Sequence, residues 1–433
     1  MLTHEKLKTK STSEISDEIQ RKIKIRKKNY VIFSLVYFII SLIQTYVIVY
    51  IPLFHFDVLN IDRSNLALIQ VFSYLVLVSF PAFGFFFDKF SKYKTKIIFS
   101  FNFLLSLSYL IFVLYNQFLL SYAIFLAFYL ISQAVIRTGM SKLLLESPDK
   151  KSERNIIILI NTCSCIGILL PSILFKVFVK KIDFAGFWNN FFFVGWLITS
   201  PLLIILIFMR KSFFRESIQK FSTRTPEKQN YMKTFSELSI IFIFLAYFCI
   251  YSDKLIAYPF SSYIISRFGE RGFSLYSDFY LIFIILNITG FYLANKLLKK
   301  IHFKEKHTFI QYKKILQNIV YLTSIYMFCF VMLLSSNIII FLITHSMYYL
   351  ISGIIVVLYA TIFLQIARTG KNENLRYWIM SLSSNLASIT LLPLGTFLSL
   401  SFSMEILIIT VISLTSISII FIYSSKFTIK SSK

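Results

Sequence analysis

Charged residues along this chain gather in short clusters, and between the clusters run apolar stretches about twenty residues long or about double that. Crossing ~30 Å of hydrocarbon at ~1.5 Å of helical rise per residue takes ~20 apolar residues, so each stretch has the length of one membrane-spanning helix or two. The pattern predicts twelve spans, at roughly 30–54, 65–87, 97–115, 118–141, 155–176, 188–209, 238–261, 275–295, 313–334, 338–366, 377–399 and 402–424, numbered one to twelve in that order. No charge occurs between Lys96 and Arg137, and the polar pair Asn116-Gln117 divides that run into spans three and four. Ser335-Ser336-Asn337 separates spans nine and ten in the same way, and Ser399, Ser401 and Ser403 mark the turn between eleven and twelve.

Composition agrees with a chain whose main solvent is lipid: of 433 residues, 57% are apolar and 15% charged. A net charge of +25 would suit a nucleic-acid binder, but its distribution gives a different account. All but seven of the 45 lysines and arginines fall in the tails, the alternate loops and the adjoining span ends that share a side with the N-terminus. The seven are Arg63, Lys176, Lys180, Lys181, Lys254, Arg267 and Arg271. Basic short loops stay cytoplasmic during insertion, so the bias predicts an even number of spans with both termini in the cytoplasm of a cell-membrane protein, and nucleic acid is not needed to explain the charge. The first span is too long for a signal peptide and has no small-residue cleavage site, so it is expected to stay in the mature protein. Cys163, Cys165, Cys249 and Cys329 all fall inside spans, which implies neither a disulfide framework nor a metal site.

The longest basic connection lies between the sixth and seventh spans. The expected layout is a tail at 1–29, a six-helix bundle at 30–209, a cytoplasmic linker at 210–237, a second six-helix bundle at 238–424 and a tail at 425–433. Ends of corresponding spans echo one another across the linker. Gly84-Phe85-Phe86 followed by lysines matches Gly290-Phe291-Tyr292 followed by lysines, and Tyr37-Phe38 with Pro52 matches Tyr247-Phe248 with Pro259.

The segment Gly84-Phe85-Phe86-Phe87-Asp88-Lys89-Phe90-Ser91-Lys92-Tyr93-Lys94 resembles the loop between spans two and three of the major facilitator superfamily, G-x-x-x-D-[R/K]-x-G-[R/K]-[R/K], with Ser91 at the second glycine. The loop from Glu146 to Arg154, with Pro148 inside it, is similar to that superfamily's acid, proline and arginine pattern after span four. The resemblance implies an all-α membrane protein of twelve transmembrane helices in two pseudo-symmetric six-helix bundles. It also implies a gating loop in which Gly84, Asp88, Lys89 and Lys92, with Glu146 and Arg154, latch the halves together.

By the same resemblance, spans one, four, seven and ten line a central path. Ionisable groups inside hydrocarbon are costly and commonly face a cavity. Arg137 in span four, Asp253 and Lys254 in span seven and His345 in span ten are such groups, and Glu405 opens span twelve. Gln44, Gln133, Tyr247, Tyr251, Tyr349 and Asn385 complete the candidate substrate cavity. Helical spacing puts Gln133 with Arg137 on one face, and Tyr247, Tyr251, Lys254 and Tyr258 on another. Blander readings stand beside these: Arg137 and Lys254 as snorkelling cations, the tyrosines as interface residues, His345 as a donor between packed helices and Glu405 as a solvated helix end.

No G-x-x-x-x-G-K-[S/T] loop is present, so the expected energy source is an ion gradient or simple downhill flow. The function these residues suggest is secondary active transport of a small organic solute, anionic or zwitterionic, by alternating access and with proton coupling. Asp253 is the first proton carrier and His345 the second. The protein is expected to be a monomer in contact with membrane lipids, without a cofactor, metal or catalytic residue. Alternatives are a lipid or amphiphile flippase of the same fold, an integral membrane enzyme, and a sensor or scaffold that does not transport.

Overall fold

A computed structural model describes residues 34–57, 94–145, 150–179, 184–208, 238–257, 259–304, 308–367, 373–399 and 401–428, with a few isolated positions between them. Every extended element among these residues is helical. Span one occupies 34–57, span three Lys94–Leu114, span four Leu119–Leu145, span five Lys150–Val179 and span six Phe184–Phe208. Span seven begins at Leu238, span eight lies in Phe260–Lys304, and spans nine to twelve are Thr308–Met332, Ile338–Ala367, Glu373–Leu398 and Met404–Thr428. Seven of these helices are long and apolar enough to cross a membrane over their described residues. Most of span two, with Gly84, Asp88, Lys89 and Lys92, the residue Glu146 and the linker 210–237 lie outside the described residues.

The turns fall where the polar interruptions placed them. After span three the Tyr115 N–H bonds back to Ile111, and the Asn116 side chain donates to Asn189 Oδ1 at the start of span six. Between spans nine and ten Asn337 caps the next helix, its Oδ1 accepting from the N–H groups of Ile339 at 2.9 Å and Ile340 at 3.4 Å. After span eleven the N–H groups of Ser399 and Ser401 close the turn on Gly395 and Leu398.

Span one is interrupted by a π-helical turn at Tyr46–Tyr50, and the cause lies just downstream in Pro52. Ile51 N–H reaches back to Tyr46 O, and Pro52 has no N–H to offer the Val47 carbonyl. Tyr122 of span four donates to that carbonyl at 3.2 Å. An unmatched backbone acceptor in lipid would be costly, so the phenol ties spans one and four where the backbone ladder opens.

Span seven is shorter than the expected 238–261. Its α-helix stops at Ile250, tightens to a 3-10 turn over Tyr251–Leu255, and closes through i to i+3 bonds from Ile256 to Asp253 and from Ala257 to Lys254. Pro259 then forbids continuation and a new helix starts at Phe260. That helix bends at Gly269, whose φ of 67° and ψ of −175° suit a residue without Cβ, before it becomes the apolar part of span eight, Asp278–Ile301.

Spans three, four and six pack with span one around Tyr46, Tyr109, Phe112, Phe125, Phe191 and Phe192, all fully buried. Among the last six spans, eight packs along ten, seven along eleven and twelve, and nine along ten and twelve. The two groups of spans meet where five touches eight and ten, and where four touches eleven. Glycines permit the closest crossings. A Cβ on Gly167 would overlap the Phe38 carbonyl, and one on Gly395 the Leu255 carbonyl.

Candidate functional site

The 3-10 turn that ends span seven sets the geometry of the candidate site. By tightening the backbone it carries Asp253 towards span ten, where Tyr348 donates its hydroxyl to Asp253 Oδ2 at 2.8 Å. Lys254 Nζ stands 3.9 Å from the same oxygen and 5.9 Å from the centre of the Tyr251 ring. Two opposite charges ~4 Å apart attract by about 1 kcal/mol in water and about 4 kcal/mol at the effective dielectric of partly buried pairs, which makes this pair a strong local field. Asp253 and Lys254 are both half-buried, so the pair is open on one side.

Tyrosines surround it. Tyr247 and Tyr251 exchange a hydrogen bond between hydroxyls at 3.1 Å, and the Tyr247 ring packs on Tyr359 of span ten. Tyr326 of span nine stacks on Tyr348 at 4.9 Å. His345 lies one turn before Tyr348 and Tyr349 and is buried against both rings. It meets the Tyr276 hydroxyl through Nε2 at 3.1 Å, while Nδ1 has no partner among the described residues. Phe260, Phe283 and Phe341 complete the apolar wall around the imidazole.

The structure thus brings together Tyr247, Tyr251, Asp253, Lys254, His345 and Tyr349, on spans seven and ten. Tyr258 lies outside the described residues, and the 3-10 turn breaks the helical stripe expected to run through it. Gln133 is buried in span four, Gln44 half-buried in span one and Asn385 half-buried in span eleven. Arg137 and Arg154 are placed only by their backbones, in spans four and five. Glu405 has a partner that the sequence did not indicate. It is the solvent-facing start of span twelve, 46% exposed, and it is also bound at 3.2 Å by Arg267, which donates to the Tyr263 hydroxyl at 2.8 Å and to the Leu334 carbonyl.

Tyr276, Tyr326 and Tyr348 join the cluster beyond the residues that the sequence pointed to. In a chain with 26 tyrosines nothing local distinguishes the two on spans eight and nine. Among the described residues no group of three His, Cys, Asp or Glu side chains is placed to hold a metal ion.

The fold defines the class: an all-α membrane protein, with seven described helices long and apolar enough to span a bilayer and a polar cluster held between helices. Residues 3–172 match the family model described as the Major Facilitator Superfamily. Over those residues, less than half of its 433, the chain is similar to that superfamily. No curated protein matches it.

Proposed function

We propose that this protein is a secondary active transporter that moves a small zwitterionic solute by alternating access and couples that movement to protons. The observation that carries the proposal is the Asp253–Lys254 pair, held at the end of span seven by the Tyr348 hydroxyl. It presents both signs of charge within a few ångströms, beside aromatic rings that favour an apolar or cationic body. A zwitterion can exchange with the internal pair group for group, its ammonium towards Asp253 and its carboxylate towards Lys254, leaving no charge unmatched. A purely anionic solute would leave Asp253 opposed to it, so the zwitterion is preferred.

In this proposal Asp253 is also the proton carrier, and His345 relays through Tyr276. The two six-span units would move about the linker 210–237 with both tails in the cytoplasm of a monomer, and the loop with Gly84 and Asp88 would latch them.

The test is a thermal-shift screen of the purified protein against amino acids, peptides, sugars, organic acids and nucleosides. A ligand at a hundred times its Kd stabilises the folded form by about 2.7 kcal/mol. Zwitterions should raise the melting midpoint of the native protein and leave Asp253→Asn unmoved. Stabilisation by neutral sugars alone would overturn the charge argument. Uptake into proteoliposomes should collapse with a protonophore, and uptake that continues unchanged would remove the coupling.

A further inference from the structure

Asn287 stands on span eight, away from the charged pair, and makes two hydrogen bonds to two other spans. Its Oδ1 accepts from the Cys165 thiol of span five at 3.5 Å, and its Nδ2 donates to the Tyr349 carbonyl of span ten at 2.9 Å. Tyr349 directly follows Tyr348, whose hydroxyl holds Asp253 on span seven. One amide therefore joins the seam between the first and last six spans to the backbone of the helix that grips the carboxylate.

The surroundings leave that amide little freedom. A Cβ on Gly290, three residues further along span eight, would overlap the Leu350 carbonyl, and one on Gly353 would overlap the carbonyl of Asn287 itself. Spans eight and ten therefore meet backbone to backbone at Asn287, and a shift of span ten is felt directly by its side chain. Span five touches both of them.

We propose that Asn287 is a positioning residue that couples the state of the Asp253 site to the packing of span five, so that a change of charge at Asp253 loosens or tightens the Cys165 contact. The inference rests on the proposal that Asp253 belongs to the transport site. Cys165 is half-buried, and a thiol held in a hydrogen bond is alkylated at a different rate from one released from it. Cys165 is therefore its own reporter.

The experiment measures the rate at which N-ethylmaleimide labels Cys165 in full-length protein carrying Cys163→Ala, Cys249→Ala and Cys329→Ala. Asp253→Asn should change that rate about fivefold or more, the low end of the range for coupled sites. With Asn287→Asp, which keeps the acceptor for the thiol but removes the donor to Tyr349, the Asp253→Asn response should vanish. Asn287→Ser is the second variant, used if the added carboxyl prevents folding. An equal response with and without Asn287, or no response in either background, overturns the coupling. Uptake by Asp253→Asn in the same proteoliposomes is read separately. Undiminished uptake with an intact labelling response would remove Asp253 from the transport site and leave the Asn287 connection standing.

Discussion

Single atoms decide how closely these helices approach, and Gly290 shows the magnitude. Alanine is favoured over glycine by about 1 kcal/mol inside a helix, so a Gly290→Ala variant would gain stability if space allowed. Here the new methyl meets the Leu350 carbonyl of span ten, a backbone atom that cannot turn aside, and overpacking of this kind costs about 1–3 kcal/mol. The clash should win, and the melting midpoint in detergent should fall by several degrees. Gly186, with nothing near its absent Cβ, is the control: Gly186→Ala should be neutral or slightly stabilising. A fall of similar size at both positions would remove the close crossing as the cause. Gly290 was legible in the sequence only as an echo of Gly84, because a repeat marks a position without saying what it touches. Asp253, Lys254 and His345 were legible for a stronger reason, since a charged or titratable group in an uncharged run is costly wherever it points. Asn287 was not, because one amide in a helix carries no sign of its partners, and its importance arises from residues 122 and 62 positions away in the chain.

Proline acts through whole helices here, and the position of the break depends on what lies on the neighbouring span. At Pro52 the break extends backwards into the π-turn and is repaired by Tyr122 from span four. Tyr122→Phe leaves the Val47 carbonyl buried without that donor, at a cost of about 1–3 kcal/mol. Pro52→Ala supplies an N–H from the chain itself and allows the helix to close. The double variant should therefore be more stable than the sum of the two single changes predicts. Additive melting shifts would show that the phenol and the proline act independently. Pro259 works differently, because its neighbours in sequence make the repair through the 3-10 turn that ends span seven at Leu255. The polar turns at Asn116 and Asn337 were legible because a polar break in a long apolar run settles them. The π-turn and the early end of span seven were not, because prolines occur within spans five, six and eleven without ending them.

At one end of the whole bundle, Arg267 gathers three elements distant in the chain: the entry to span eight, the exit of span nine at Leu334 and the start of span twelve at Glu405. Net charge alone would assign this to the ion pair, but the exposures argue otherwise. Glu405 is 46% exposed against 24% for Arg267, and a solvated pair of this kind contributes about 0–1 kcal/mol. The hydrogen bonds from the guanidinium to the Tyr263 hydroxyl and the Leu334 carbonyl are charge-assisted, with about 1.5–3 kcal/mol usual for such bonds. The cation also lies 5.4 Å from the centre of the Tyr263 ring. Glu405→Ala should therefore lower the melting midpoint only slightly, and by less in high salt, whereas Arg267→Ala should lower it markedly at any ionic strength. Arg267→Lys keeps the charge but loses the planar fork, and should fall nearer to alanine than to the native protein. Equal losses for Glu405→Ala and Arg267→Ala, both removed by salt, would reduce the clasp to its ion pair. Greater stability of Arg267→Lys than of Arg267→Ala by the full difference would do the same.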